Sequence, residues 1–171
     1  MEILEDKTRL TFSGHDSFPC RNFWLKTGYD YIRSGKNFSD EDSVIELGVG
    51  KNMVSAIKFW MKSFGILDLN GELTPLADFI FRDSDGVDQY LEDDVTLWLL
   101  HFHLVKEGHA SIYSLIFNRL RKERIEFSKD IFIQHVLRNY GIYNENSLGT
   151  DFNVFTRMYL KNATRSKDRE D

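Results

Sequence analysis

The chain has 171 residues and a formal net charge of −5 at pH 7, and 14% of its residues are aromatic. That length is enough for one sizeable domain or two small ones, and the aromatic content argues against a disordered chain. The acidic balance excludes the uniformly basic surface of a nucleic-acid coat protein, so any contact with DNA must use local positive patches.

Several features of the sequence predict its compartment. Cys20 is the only cysteine, so no internal disulfide can form, which suits a reducing environment. The first residues are acidic and carry no apolar core of a signal peptide. The chain also has no run of about 18 apolar residues that would cross a membrane. We therefore expect a cytoplasmic protein without a membrane partner.

Three helices are predicted after an extended lead-in of residues 1–20. The first covers residues 21–33, and the second begins at Ser39, a good N-cap residue. The third covers residues 51–64 and follows the tight turn Gly48-Val49-Gly50. This turn lacks the spacing of a phosphate-binding loop, which places four residues between its glycines. We therefore interpret it as the turn of a helix-turn-helix unit.

The third helix is amphipathic and basic. Its apolar residues are three and four apart and define one face: Met53, Ile57, Trp60 and Phe64. The opposite side carries all three lysines of the helix and one serine, with the same spacing: Lys51, Ser55, Lys58 and Lys62. This pattern is typical of a helix that packs on one side and meets a polar partner on the other.

A short hairpin is predicted next. Residues 66–69 and 72–74 flank Asn70-Gly71, the preferred two-residue hairpin turn, in which both positions need a positive φ. Thr74-Pro75 then starts another helix, with Thr as N-cap and Pro in the first turn. The order of elements predicts a mainly α fold: an N-terminal winged helix-turn-helix with a short β-hairpin wing, followed by an all-helical part.

The remainder of the chain is predicted to be helical, with helices near residues 87–105, 111–124, 128–139 and 151–162. The polar stretch 82–89 suggests a boundary. We expect a winged-helix domain over residues 1–84 with its lead-in, a helical domain over 85–164 and a charged tail over 165–171.

The third helix is the main candidate for DNA contact. In a winged helix this element enters the major groove with its N-terminal residues nearest the bases. Lys51, Lys58 and Lys62 could neutralise phosphates, while Asn52 and Ser55 could contact base edges. A solvated helix face that makes only protein contacts is the alternative.

The stretch around His15 contains several chemically versatile side chains. His15 and Asp16 could move a proton or hold a metal ion, which makes them weak candidates for catalysis. Arg21 could bind a phosphate through both guanidinium nitrogens. A structural role is the favoured alternative, with Asp16 capping a turn, Arg21 pairing with a carboxylate and His15 bonding to the backbone.

Two further groups carry weaker signals. His101 and His103 are two residues apart and would point to opposite sides of a helix, so with His109 they do not predict a metal site. No cofactor is evident, although a divalent metal would be needed if the chain were a nuclease. A second basic cluster could extend a DNA-binding surface or complement a helix end: Arg119, Arg121, Lys122 and Arg124.

Sequence stretches along nearly the whole chain resemble a bacterial family of domains of unknown function, number 4007. The opening signature is residues 12–21, FSGHDSFPCR, and the second is residues 47–54, LGVGKNMV, with Trp60 beyond it. Residues 73–76, LTPL, and 151–155, DFNVF, match later patterns.

The resemblance implies a context for the protein. Genes of this family lie near those of PAPS-reductase-like sulfur-transfer proteins, cysteine desulfurases and ATPases, in clusters that install DNA phosphorothioate and act in phage defence. SspB-type members of the family are DNA-nicking components. The resemblance therefore implies duplex DNA and the sulfur-transfer and ATPase proteins of the same cluster as partners.

Three functions remain open from the sequence. The chain is a DNA-binding subunit of a phosphorothioation system, a nuclease that nicks DNA itself, or a docking module that binds the sulfur-transfer enzymes without touching DNA.

Overall fold

The computed structural model of the chain describes residues 10–21 and 23–160. Its first helices are α1 (Trp24–Arg33), α2 (Ser43–Leu47), α3 (Lys51–Ser63) and α4 (Pro75–Phe81). They are followed by α5 (Asp94–Glu107), α6 (Ser111–Leu115), α7 (Arg121–Glu123), α8 (Lys129–Tyr140) and α9 (Glu145–Tyr159). A π-helical turn, Ile116–Leu120, joins α6 to α7. The predicted charged tail and the first nine residues lie outside the described part of the chain.

Helix α3 lies at the centre of the fold, in contact with α1, α2 and α5. Trp60 and Met61 are fully enclosed, and Ile57 is almost so. The apolar face predicted from the spacing is present, but Val54, Ala56 and Phe59 are buried as well. Its middle and C-terminal turns are therefore covered on most sides.

The predicted winged helix with a β-hairpin wing is wrong. The described residues contain no β-strand, and a single antiparallel bridge joins Leu67 to Leu73 where the wing was expected. Gly71 has a φ of 91°, but Asn70 is not among the residues with positive φ, so the two-residue hairpin turn does not form. Instead Asp68 accepts from the Glu72 N–H at 2.9 Å, which closes a wider loop. The fold is helical throughout the described ranges.

The loop ends at Thr74, because Thr74 is the N-cap of the next helix, α4. The Thr74 hydroxyl accepts from the Ala77 N–H at 3.3 Å and donates to the Gly65 carbonyl at 2.6 Å. Pro75 occupies the first turn of α4, as its sequence predicts. Few residues are therefore left between α3 and α4 to extend a ladder.

Local side-chain caps explain where other helices begin. Asp88 accepts from the backbone of Glu92 at 2.9 Å and of Asp93 at 3.0 Å, and Asp93 caps α5. This turn delays α5 relative to the predicted start at residue 87. Asn144 accepts from the Asn146 and Ser147 amides, so α9 begins at Glu145, before the predicted start near residue 151.

Ser39 does not cap the second helix. The Ser39 N–H donates to the Asn37 side chain at 3.0 Å, and the Asp40 carboxylate accepts from the Asn37 amide at 2.7 Å. These bonds build a turn that places the start of α2 at Ser43. The Ser128 hydroxyl accepts from the Ile131 amide and caps α8, close to the helix start predicted near residue 128.

Buried side chains from both halves of the chain belong to one hydrophobic cluster, which extends from Leu10 to Phe155. Trp60, Tyr29, Phe81, Tyr113 and Phe132 are its largest fully buried members. The boundary between residues 84 and 85 stays a prediction. None of the described helices is long and apolar enough to cross a membrane.

Candidate nucleic-acid interface

The segment that carries the opening signature is bound to three helices by backbone contacts. The Thr11 N–H donates to the Ser111 hydroxyl at 2.9 Å, and the Ser13 N–H donates to Asp151 Oδ1 at 2.7 Å. The Trp60 indole donates to the Phe18 carbonyl at 2.9 Å. Residues 11–18 therefore form a strap across α3, α6 and α9.

Inside this strap His15 and Asp151 form a buried pair. Both side chains are almost completely enclosed, and His15 Nε2 lies 3.3 Å from Asp151 Oδ1. The imidazole is stacked on Trp60, with centroids 5.4 Å apart and planes 8° from parallel. The edge of Phe59 closes another side at 5.6 Å. The pair ties the strap to α9 through a close polar contact within the core, in which neither His15 nitrogen has hydrogen-bonding geometry.

The two weak catalytic candidates are separated by this arrangement. Asp16 is exposed and has a φ of 46°, whereas His15 points into the protein. Gly14 explains the close fit, because a Cβ there would lie 2.3 Å from the Phe59 ring. The structure thus favours a structural role for His15, through contact with Asp151 and not through the expected bond to the backbone, and a catalytic role for His15 or Asp16 stays a prediction.

Only the first turn of α3 is open to a large ligand. Lys51, Asn52 and Ser55 are exposed, whereas Lys58 and Lys62 are half-buried. The first turn contains no acidic residue, and no side chain caps its amides. The positive end of the helix dipole and the Lys51 ammonium therefore both produce a positive electrostatic potential at this end of α3.

The other end of α3 is engaged internally. The Lys62 ammonium donates to the Leu69 carbonyl at 2.9 Å and holds the wide loop. The predicted DNA-binding set is thus not a single continuous face along α3. Its members at the N-terminal turn lie together, and Lys62 lies by the loop.

Arg21 belongs to a third location. Its guanidinium lies 5.4 Å from the centroid of the Trp24 ring, and no ion pair with a carboxylate is formed among the described residues. With Arg157 it lines a cavity of about 420 Å³, whose other walls come mainly from α5, from α9 and from the residues between the strap and α1. The cavity lining includes no carboxylate.

Burial also affects two ionisable groups of this cavity. Desolvation raises the pKa of the Cys20 thiol well above its ordinary value, which favours the protonated thiol over the nucleophilic thiolate. Desolvation lowers the pKa of His101, whose Nδ1 lies 2.6 Å from the Tyr159 hydroxyl. The cavity therefore presents a neutral wall beneath two arginines.

The second basic cluster is the most exposed group of cations on the later helices. Arg119 projects from the π-helical turn, and Arg121, Lys122 and Arg124 follow on and after α7. Arg138 of α8 joins them across Glu123, with Nη2 4.0 Å from Oε2. Sequence reasoning missed Arg138, because only the packing of α8 on the π-helical turn brings it there.

No group of three or more histidine, cysteine or carboxylate side chains that could hold a metal ion occurs in the described ranges. His101 contacts Tyr159, His103 Nδ1 lies 3.8 Å from Glu107, and His109 packs on Phe59 at 5.0 Å. The three histidines therefore have separate surroundings.

Comparisons with known proteins place these features in context. Residues 12–171 match the family described as "Protein of unknown function (DUF4007)". The fold is similar to the magnesium ion-bound SspB crystal structure, with a TM-score of 0.70 and 25% identity over 88% of this chain and 49% of the SspB chain. A second SspB crystal structure gives a TM-score of 0.69 and 26% identity over 88% of this chain and 50% of that one. The chain thus spans about half the length of these SspB chains. No curated protein is significantly similar to it.

Proposed function

We propose that this chain, which belongs to the DUF4007 family, is a DNA-binding component of a bacterial DNA phosphorothioation and phage-defence system. The observation that carries the proposal is the similarity to SspB, which extends over 88% of the chain at a TM-score of 0.70. Similarity over 88% of the chain is more specific than similarity in a single helical hairpin.

The N-terminal turn of α3 supports DNA contact on physical grounds. The amide dipoles at a helix N-terminus, together with Lys51, attract a phosphate. Asn52 and Ser55 lie beside them with groups that can bond to base edges or to the backbone. Lys58, one turn further along the same side, can add a phosphate contact, whereas Lys62 and Arg21 would act at separate points of the surface.

The second basic cluster supplies a further surface for the DNA backbone. Arg119, Arg121 and Arg124 are exposed, and arginine suits bidentate contact with phosphate. Together the two surfaces provide the local positive patches that an acidic protein needs in order to bind DNA.

The decisive experiment is fluorescence-anisotropy titration of a short labelled duplex at two salt concentrations. We expect the affinity to fall with salt, and the Lys51→Ala/Lys58→Ala variant to bind more weakly with a salt slope reduced by about one per lost contact. Lys106→Ala is the control, because Lys106 is an exposed lysine near the C-terminal end of α5. Absence of binding at low salt would contradict the proposal.

A docking function is the second candidate, and the cavity beneath Arg21 and Arg157 favours it. Its floor is apolar and includes Leu25, Leu100 and Leu104. Such a cleft suits an apolar side chain of a sulfur-transfer enzyme, with an acidic neighbour that reaches the arginines.

Leu97 lies at this cleft and is 46% exposed, so Leu97→Glu blocks the cleft without opening the core. Loss of co-elution with the PAPS-reductase-like protein in this variant, with unchanged DNA affinity, would establish docking here. Unchanged co-elution in Leu97→Glu would show that the cleft is not the docking site.

Strand nicking by this chain is a separate hypothesis. One SspB crystal structure contains a magnesium ion, which makes magnesium the metal to supply in an assay of nicked plasmid. Asp16→Asn is the cleaner test, since Asp16 is exposed and Asn tolerates a positive φ. His15→Ala needs a parallel folding measurement because His15 is buried. Unchanged nicking in both variants would remove both residues as catalysts.

A further inference from the structure

The cavity beneath Arg21 and Arg157 has an aliphatic interior. Five leucines line it: Leu25, Leu91, Leu97, Leu100 and Leu104. Leu25, Leu100 and Leu104 are buried and form the floor, whereas Leu97 is exposed at the rim. Two polar side chains of the lining already bond to each other, with His101 Nδ1 2.6 Å from the Tyr159 hydroxyl. The interior therefore offers a ligand aliphatic surface and few polar groups.

The two arginines at this cavity are not neutralised by any carboxylate of the described residues. The Arg21 guanidinium lies over the Trp24 ring and forms no ion pair there. The Arg157 guanidinium donates only to neutral acceptors, the carbonyls of Ser17 and Asn153. Both arginines are exposed. Two positive charges beside an aliphatic cavity are complementary to a ligand that has an apolar body and an anionic group.

An aliphatic ligand fits this lining better than a nucleobase does. A base-binding pocket needs flat rings for stacking and hydrogen-bonding groups for the edge of the base. Leucines outnumber the aromatic rings of the lining, and the polar groups of His101 and Tyr159 are bonded to each other. The apolar part of the ligand is therefore an aliphatic side chain.

A chain end supplies the anion and the aliphatic side chain from one residue. In an internal segment the acidic and the aliphatic side chains belong to different residues, so the amides between them would enter an apolar cavity. Buried amides without partners are unfavourable. At a C-terminus the carboxylate lies on the same Cα as the last side chain, and a carboxylate matches the planar donors of arginine.

We propose that this cavity binds the C-terminal residue of a partner protein, with its aliphatic side chain against the leucines and its carboxylate at Arg21 and Arg157. Such a site deepens the docking function proposed above, on which it rests. It predicts a partner whose sequence ends in leucine, isoleucine, valine or methionine.

Fluorescence anisotropy of two labelled peptides tests the site on the full chain. Both peptides have the same sequence and end in two leucines, but one has a free C-terminal carboxylate and the other a C-terminal amide. We expect the carboxylate form to bind at least about tenfold more tightly, because the amide loses the charge-assisted hydrogen bonds to arginine. Leu97→Glu should weaken the binding of both forms, since it blocks the cavity.

Substitution of the arginines should remove the preference for the carboxylate. We expect it to shrink in Arg21→Gln and to disappear in Arg21→Gln/Arg157→Gln. Because Arg157 also bonds to the Ser17 carbonyl, urea unfolding of the double variant is measured in parallel. Arg138→Gln is the matched control, since Arg138 is an exposed arginine outside this cavity, and it should keep the full preference.

The possible results separate the chain-end site from docking in general. Equal affinity for the two peptides would overturn the chain-end site, even if Leu97→Glu abolished both interactions and docking of apolar segments survived. Absence of binding by either peptide would also overturn it, whereas the docking function is judged separately by co-elution with the PAPS-reductase-like protein. Tighter binding of a 5′-phosphorylated trinucleotide than of either peptide, lost in Leu97→Glu, would assign the cavity to DNA instead.

Discussion

At the scale of single residues, His15 shows how a side chain with catalytic potential can serve the fold. It lies between Trp60 and Phe59, and its ring nitrogen is 3.3 Å from the buried carboxylate of Asp151. Asp151 also accepts from the Ser13 amide. Two sequence signatures more than a hundred residues apart thus meet at one buried contact.

Asp151→Ala tests the structural role of this contact. The substitution removes the Ser13 hydrogen bond and leaves His15 buried without its partner, so we expect the free energy of unfolding to fall by about 3 kcal/mol. Urea unfolding followed by tryptophan fluorescence measures it. The control is Asp16→Asn at the adjacent exposed position, for which we expect a change below about 0.5 kcal/mol. Equal effects would mean that the buried pair does not stabilise the strap.

At the scale of elements, Thr74 fixes the connection between α3 and α4. Its hydroxyl caps α4 and also bonds to the Gly65 carbonyl at the end of α3. Thr74→Ala removes both bonds, so we expect a loss of about 2 kcal/mol, whereas Thr74→Ser should keep most of that stability. Ser128→Ala is the matched control, because the Ser128 hydroxyl caps only the exposed start of α8, and about 1 kcal/mol is expected there. A loss in Thr74→Ala no larger than the control would show that the bond to Gly65 contributes nothing.

Helices were predictable from sequence where spacing and caps agreed. The bounds of α3 follow from its apolar spacing and from Gly50 and Gly65, and α4 follows from Thr74-Pro75. The hairpin could not be judged in this way, because Asn70-Gly71 indicates a turn but not whether strands continue beyond it. The second bond of Thr74, to Gly65, is a tertiary contact with no local signal.

The candidate site was predictable only in part, for the same reason. A helical repeat shows which side of α3 is polar, but the depth at which each lysine lies depends on neighbouring elements. Lys51 is therefore exposed at the helix end, while Lys62 is bound to the Leu69 carbonyl. Arg138 lies beside the second basic cluster because α8 packs on the π-helical turn. The position of Arg138 in the sequence does not indicate this packing.

At the scale of the whole molecule, a chain with a net charge of −5 repels DNA at long range and must bind it through patches. Lys51→Ala, Arg121→Ala and Lys106→Ala each remove one positive charge, so a mechanism based on net charge predicts equal effects on DNA affinity. Local phosphate contacts predict a different result: the slope of log affinity against log salt falls by about one for Lys51→Ala and for Arg121→Ala, and is unchanged for Lys106→Ala. Titrations of one duplex at several salt concentrations distinguish the two mechanisms. If Lys106→Ala weakened binding as much as the other two, neither the first turn of α3 nor the second basic cluster would be a DNA-binding surface.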